Sequence, residues 1–113
     1  MRPSLVDKLE RVRRGLELYG AEKAILFGSS ARGDGDEYSD IDLIVIKQTD
    51  RRFLDRLADV FDAIEPDFAL DVLVYTPEEF DRMLDEENPL LTEAVRHGKV
   101  IYEGPQARGR AVA

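Results

Sequence analysis

The segment 28–42, with the sequence GSSARGDGDEYSDID, decides how this chain folds. It begins with a glycine directly after the apolar run Ala24–Phe27 and ends with Asp40 and Asp42 at the start of a second apolar run, 41–46. A glycine turn after a strand can present backbone amides to phosphate, and two nearby carboxylates can bind a divalent cation. Each half alone is a weak signal, but together they indicate a site for a metal-bound nucleotide.

The acidic residues of this segment have a partner further along the chain. Alternate residues of a strand point to one face, about 6.5 to 7 Å apart, so Asp40 and Asp42 can converge on one cation. Asp71 is the only charge in the apolar run Phe68–Tyr75, where an isolated carboxylate is costly unless it is paired or binds metal. If the third strand lies beside the second, Asp71 stands about 5 Å from one of the pair. The alternatives are a buried ion pair for Asp71 and ordinary solvated acids for Asp40 and Asp42.

The remaining patterns predict one mixed α/β (α+β) domain, with a small mixed sheet covered by helices. Ser4 caps an amphipathic helix that ends at Gly20, and Asp50 is expected to cap a second helix over 53–64. Thr76-Pro77 and Asn88-Pro89 begin two short helices, and an edge strand follows at 100–102. We assign the domain to residues 1–103 and a mobile tail to residues 104–113. His97, the only histidine, is interpreted as a residue that interacts with the end of a helix.

Composition limits the classes of partner. The net charge is −8, and the segment 65–87 contains nine acids and a single base, so direct binding of long nucleic acid is not expected. No apolar run is long enough to cross a bilayer, and the first residues lack a signal core. The chain has no cysteine, which fits a cytoplasmic protein. Neither a P-loop nor a dinucleotide fingerprint follows Gly28.

Gly28-Ser29 followed, after ten residues, by Asp40-Ile41-Asp42 resembles the signature of the polymerase-β-like nucleotidyltransferase superfamily. The neighbouring Ser30-Ala31-Arg32-Gly33 makes it similar to the minimal nucleotidyltransferase (MNT) antitoxins, which are paired with HEPN-domain toxins. The resemblance covers residues 21–102. It implies that Asp40, Asp42 and Asp71 are catalytic and bind Mg²⁺, with Mn²⁺ as an alternative. It also implies that the nucleotide is held by Gly28, Ser29, Ser30 and Arg32.

The same resemblance implies a reaction and a partner. AMP would pass from ATP to a hydroxyl, a tyrosine of a HEPN-family RNase toxin, which is thereby silenced within a hetero-oligomer. Two alternatives remain open at this point. The chain could neutralise its partner by binding alone, or it could modify a small molecule such as an aminoglycoside, although it lacks room for an acceptor-binding domain.

Overall fold

The computed structural model describes residues 4–28, 31 and 40–105, which form a four-stranded mixed sheet with helices on both faces. The strands and helices follow one another in chain order: α1 Leu5–Tyr19, β1 Lys23–Phe27, β2 Ile41–Ile46, α2 Phe53–Ile64, β3 Leu70–Tyr75, α3 Pro77–Asp85, α4 Pro89–His97 and β4 Lys99–Glu103. The predicted fold class is confirmed. None of the described helices combines the length and apolarity that a membrane span requires.

The strand order is β3-β2-β1-β4. β1 pairs antiparallel with both β2 and β4, whereas β2 and β3 run parallel and are connected through α2. As a result, the end of β1 and the beginnings of β2, β3 and β4 meet at one end of the sheet. This end, where the strand termini lie side by side, is called the edge, as distinct from the outer strands β3 and β4. All the predicted site residues that the structure describes lie at this edge.

Two hydrophobic clusters hold the sheet between its helices. The odd residues of β2 (Ile41, Leu43 and Val45) are fully buried under α1 and α2, as the alternation of the strand predicts. The even residues Ile44 and Ile46 pack on the other face against side chains of α3 and α4. Because both faces of β2 are covered, its register cannot slip by one residue without exchanging these sets of side chains.

Most predicted helix ends are confirmed. Ser4 and Thr76 each form a capping box, the side chain of Asn88 accepts a hydrogen bond from the Leu91 amide, and Gly20 ends α1 with a positive φ of 83°. The prediction for α2 is wrong, because its N-cap is Arg52, whose side chain makes no capping hydrogen bond, and Asp50 lies outside the helix. A helix with strong burial along one face can form without a side-chain cap.

Arg56 of α2 ties the helices to the sheet. Its guanidinium is almost completely buried and donates to the carbonyl oxygens of Arg51 and Val74. It also donates to both carboxylate oxygens of Glu79 on α3, at 2.7 and 3.3 Å. Glu79 in turn accepts from the Thr76 amide, so one carboxylate both caps α3 and neutralises a buried cation. The hydrogen bond from Arg56 lowers the pKa of Glu79 below its ordinary value, and the Thr76 amide adds to that shift.

Glu79→Gln separates the capping of α3 from the neutralisation of Arg56, because glutamine can still accept from the Thr76 amide but carries no charge. We expect it to lower the free energy of unfolding by about 1–2 kcal/mol at pH 7 in urea titrations, since Arg56 loses its counter-ion. The exposed neighbour variant Glu78→Gln should change it by less than about 0.5 kcal/mol.

The difference between wild type and Glu79→Gln should also depend on pH. A carboxyl group with a lowered folded-state pKa stabilises the fold above the pKa of the unfolded state. That contribution is lost as the pH falls through the lowered pKa. The free energies of unfolding of wild type and Glu79→Gln should therefore converge in acid. If the difference in the free energy of unfolding between the two proteins widened as the pH fell, the assigned ion pair between Arg56 and Glu79 would be contradicted.

Candidate active site

Asp42 and Asp71 face each other across the only parallel pair of described strands. They are direct partners in the register of β2 and β3, whose backbones are separated by about 4.8 Å. The carboxylate of Asp71 is close enough to that of Asp42 to raise its pKa. The expectation that Asp71 would stand across from one of the acidic pair is therefore confirmed.

The electrostatic state of Asp42 reflects this crowding. Partial burial raises its pKa above the ordinary value, and the negative charge of Asp71 raises it further. The hydrogen bond with Asp71 and the charge of Asp40 act in the same direction. Two carboxylates so close together favour either a shared proton or a bound cation.

Asp71 is less buried than its sequence suggested. The run Phe68–Tyr75 indicated a strand buried on both faces, but the strand begins at Leu70 and the side chain of Asp71 is exposed. β3 is an edge strand of the sheet, and Asp71 is its second residue, at the end where the sheet opens to solvent. Asp71 therefore bears little cost of burial, and its proximity to Asp42 is the observation that indicates a cation site.

At this edge two carboxylates, those of Asp42 and Asp71, are placed so that they could bind a divalent cation together. Asp40 lies just before β2, is exposed and influences Asp42 through its charge. Within residues 4–28, 31 and 40–105, no three histidine, cysteine or acidic groups are arranged so that they could hold one ion. The Asp42–Asp71 pair provides hard oxygen ligands whose mutual repulsion a cation would relieve, which suits Mg²⁺ with further ligands from a substrate. The metal role of all three aspartates stays a prediction.

Gly28 forms the adjoining wall of the site. Its φ of 75° lies in the left-handed region, and a Cβ atom at this position would lie 2.5 Å from Oδ2 of Asp42. The positive φ favours glycine at this position, and the close approach to Oδ2 places the glycine backbone against the acidic pair. Ser29, Ser30 and Arg32, the other predicted nucleotide-binding residues, lie outside the described residues.

The sequence did not reveal that the end of α4 borders this edge. A small cleft beside Gly28 is lined by Phe27, Glu93, His97 and Gly98. His97 does precede the C-cap Gly98, as expected, but its side chain is 57% exposed and lies near Glu93. The pairing of Lys99 with Leu26 brings this helix end to Gly28, and no local sequence signal carries that information.

Comparison with known proteins agrees with the geometry. Residues 12–107 match the family described as "Polymerase beta, Nucleotidyltransferase". The chain belongs to this nucleotidyltransferase family. It is 37% identical over 83 residues to a protein of Methanocaldococcus jannaschii named "Putative protein adenylyltransferase". That alignment covers 70% of this chain and 56% of the relative, so the chain spans little more than half of the relative's length.

Two solved structures share the fold of this nucleotidyltransferase-family chain. One is described as "a putative nucleotidyltransferase from Sulfolobus solfataricus", with a TM-score of 0.61 at 22% identity, covering 87% of this chain and 82% of the other. The second is described as "the toxin-antitoxin with AMP-PNP", with a TM-score of 0.56 at 18% identity, covering 90% of this chain and 78% of the other. At these identities the similarity establishes the fold.

Gly28→Ala tests the contact between the turn and the acidic pair, with Gly20→Ala as a matched control. Both glycines have a positive φ, so each substitution should cost about 1–2 kcal/mol of stability through backbone strain. At Gly20 the added methyl group meets only the flexible end of Lys47, at 3.1 Å. Nucleotide binding measured by calorimetry should therefore be lost in Gly28→Ala and retained in Gly20→Ala. Equal binding by the two variants would contradict the proposed wall of the site.

Removing one carboxylate should separate stability from metal binding. Without divalent ions, Asp71→Asn should leave the melting temperature unchanged or raise it, because the repulsion with Asp42 disappears. Mg²⁺ should stabilise the wild type by about 2.7 kcal/mol at one hundred times its Kd, and Asp71→Asn much less. Asp81→Asn removes an exposed acid of α3 and should retain the full response to Mg²⁺ in thermal unfolding. Equal responses of all three proteins would place the ion elsewhere.

Proposed function

We propose that this chain transfers AMP from ATP to a hydroxyl group of a partner protein, a tyrosine of a HEPN-family RNase toxin, and thereby neutralises it. The observation that carries the proposal is the contact of Gly28 with an acidic pair held in register on β2 and β3. Membership of the nucleotidyltransferase family supports the reaction type. The name of the archaeal relative, an adenylyltransferase of proteins, supports a protein as the acceptor, and the description of the toxin-antitoxin structure supports the type of partner.

In this proposal each described residue of the site has a chemical task. Asp42 and Asp71 are proposed to hold Mg²⁺, or Mn²⁺, with Asp40 as the third acid beside them, and the ion would neutralise the negative charge on the phosphate oxygens. Gly28 lets the phosphates approach the main chain, because no side chain intervenes there. Ser29, Ser30 and Arg32 are proposed to complete the phosphate contacts.

The transfer is a displacement at the α-phosphorus. The acceptor oxygen forms a bond to that phosphorus while the bond to the bridging oxygen breaks, and pyrophosphate leaves with the electron pair. The proton of the acceptor hydroxyl passes to Asp71, the carboxylate at the exposed edge of the sheet, where an acceptor can reach it. Most of the rate acceleration comes from positioning and charge neutralisation, as in phosphoryl transfer generally.

The acidic surface of the chain suits a basic partner. The segment 65–87 carries nine acids, and the exposed acids of α3 lie within it. An acidic surface favours the approach of a basic partner and disfavours free nucleic acid. We therefore propose that the partner protein takes part in selecting the acceptor hydroxyl, and that the complex operates in the cytoplasm.

Transfer is tested with ATP labelled on the α-phosphate, Mg²⁺ and a candidate HEPN partner protein. The label should appear on the partner, and Asp42→Asn or Asp71→Asn should lower the rate by about 100-fold or more, because several kcal/mol of charge stabilisation are lost. Asp40→Asn should have an effect in the same direction, and the control Asp81→Asn should transfer at the wild-type rate.

The other outcomes discriminate between the remaining functions. Full neutralisation of the toxin by Asp42→Asn, with no label on the partner, would support inhibition by binding alone. A labelled aminoglycoside and an unlabelled protein, identified by mass spectrometry, would support transfer to a small molecule. Labelling of the partner that persists in the Asp40→Asn, Asp42→Asn double variant would contradict the proposed mechanism.

A further inference from the structure

The cleft between the end of β1 and the last turn of α4 is the second feature of the active-site edge. Phe27, Gly28, Glu93, His97 and Gly98 line it, and its volume is about 100 Å³. The helix end is pressed onto the strand, since a Cβ atom on Gly98 would lie 2.8 Å from the carbonyl oxygen of Leu26. The position of the cleft is therefore fixed by backbone packing rather than by flexible side chains.

Gly28 is a wall common to the cleft and to the acidic pair. The position of its absent Cβ lies 2.5 Å from Oδ2 of Asp42, and the same residue lines the cleft. A ligand whose phosphates lie on the glycine turn therefore has the cleft within reach of its remaining part. Pockets that hold whole ligands usually measure about 300–1,000 Å³, so this cleft suits only one portion of a larger molecule.

The chemistry of the lining favours a flat ring that donates a hydrogen bond. The aromatic ring of Phe27, the imidazole of His97 and the backbone of two glycines provide surfaces suited to stacking. The carboxylate of Glu93 can only accept hydrogen bonds when it is ionised. It also repels phosphate, as does the partial negative charge at the C-terminal end of α4.

The interaction between Glu93 and His97 contributes little to the stability of the fold. The two side chains are 62% and 57% exposed, and the distance between His97 Nε2 and Glu93 Oε2 is 3.9 Å. An exposed pair of this kind on one helix contributes about 0–0.5 kcal/mol. Substitutions at either position should therefore leave the fold intact, so any effect on binding can be measured directly.

We propose that this cleft binds the adenine base of the nucleotide, with His97 stacking on the ring and Glu93 accepting a hydrogen bond from its 6-amino group. The inference rests on the proposed function, because it assumes that the phosphates lie at Gly28. It makes Glu93 a specificity-determining residue, since guanine carries a carbonyl at the same position and would place an oxygen against the carboxylate.

The test measures the binding of three probes by calorimetry in Mg²⁺: a non-hydrolysable ATP analogue, the corresponding GTP analogue and tripolyphosphate. His97→Ala should weaken binding of the ATP analogue about tenfold, because a stacking contact is lost. Glu93→Gln should reduce the preference for the ATP analogue over the GTP analogue several-fold, since an amide can donate to the guanine carbonyl. Tripolyphosphate should bind wild type and both variants equally.

Two substitutions serve as controls. Arg96→Ala removes a neighbouring exposed side chain in the last turn of α4 that does not line the cleft, and Glu86→Gln removes an exposed acid beyond α3. Both should bind all three probes as wild type does. Unchanged binding of the ATP analogue in His97→Ala and Glu93→Gln would overturn the proposal.

An equal loss for tripolyphosphate would also overturn it, because the cleft would then hold phosphate. Failure of the proposed function has a different signature. In that case the wild type would bind none of the three probes, whereas a wrong assignment of the base leaves wild-type binding intact.

Discussion

The parallel pairing of β2 with β3 places two acidic side chains next to each other, and the proposed function of the whole edge depends on that arrangement. Asp42 and Asp71 are register partners, so their Cα atoms cannot separate without breaking the ladder between the two strands. Their repulsion is an unfavourable term that the free protein tolerates and that a cation can relieve. A site of this kind is costly to stability and useful for chemistry, which is a common feature of active sites.

The remainder of the domain fixes the register against that repulsion. The odd residues of β2 are buried under two helices, and Ile44 and Ile46 are buried under two others, so the strand is held from both faces. The buried guanidinium of Arg56 joins α2, the end of β3 and α3 through hydrogen bonds that include the carbonyl of Val74. These contacts lie away from the edge where the acids meet, and the stability of the domain is thus separated from its chemistry.

Local sequence rules account for much of this architecture. The capping boxes at Ser4 and Thr76, the alternation in β2 and the pairing of Asp71 with one of the acidic pair were all predictable from spacing and residue type. The N-terminus of α2 was not, because burial rather than a capping side chain determines where that helix begins. The exposure of Asp71 depends on which strand lies at the edge of the sheet, a property of the whole topology.

The site shows the same division between local and long-range information. The sequence indicated Gly28 and the aspartates, but it could not indicate that the Gly28 backbone touches the Asp42 carboxylate or that His97 lies beside that turn. Both contacts join residues far apart in the chain, through the β1–β2 and β1–β4 pairings. Long-range pairing of this kind is determined by packing and is invisible to any local pattern.

The central claim is that a divalent cation binds between the second residues of β2 and β3. Titration of the isotopically labelled protein with Mn²⁺, followed by NMR, tests it most directly, because the ion broadens the resonances of nearby amides. The amides of Gly28, Asp42 and Asp71 should broaden first, at low ratios of Mn²⁺ to protein. Broadening that begins at the exposed acids of α3 and leaves those three amides sharp would contradict it.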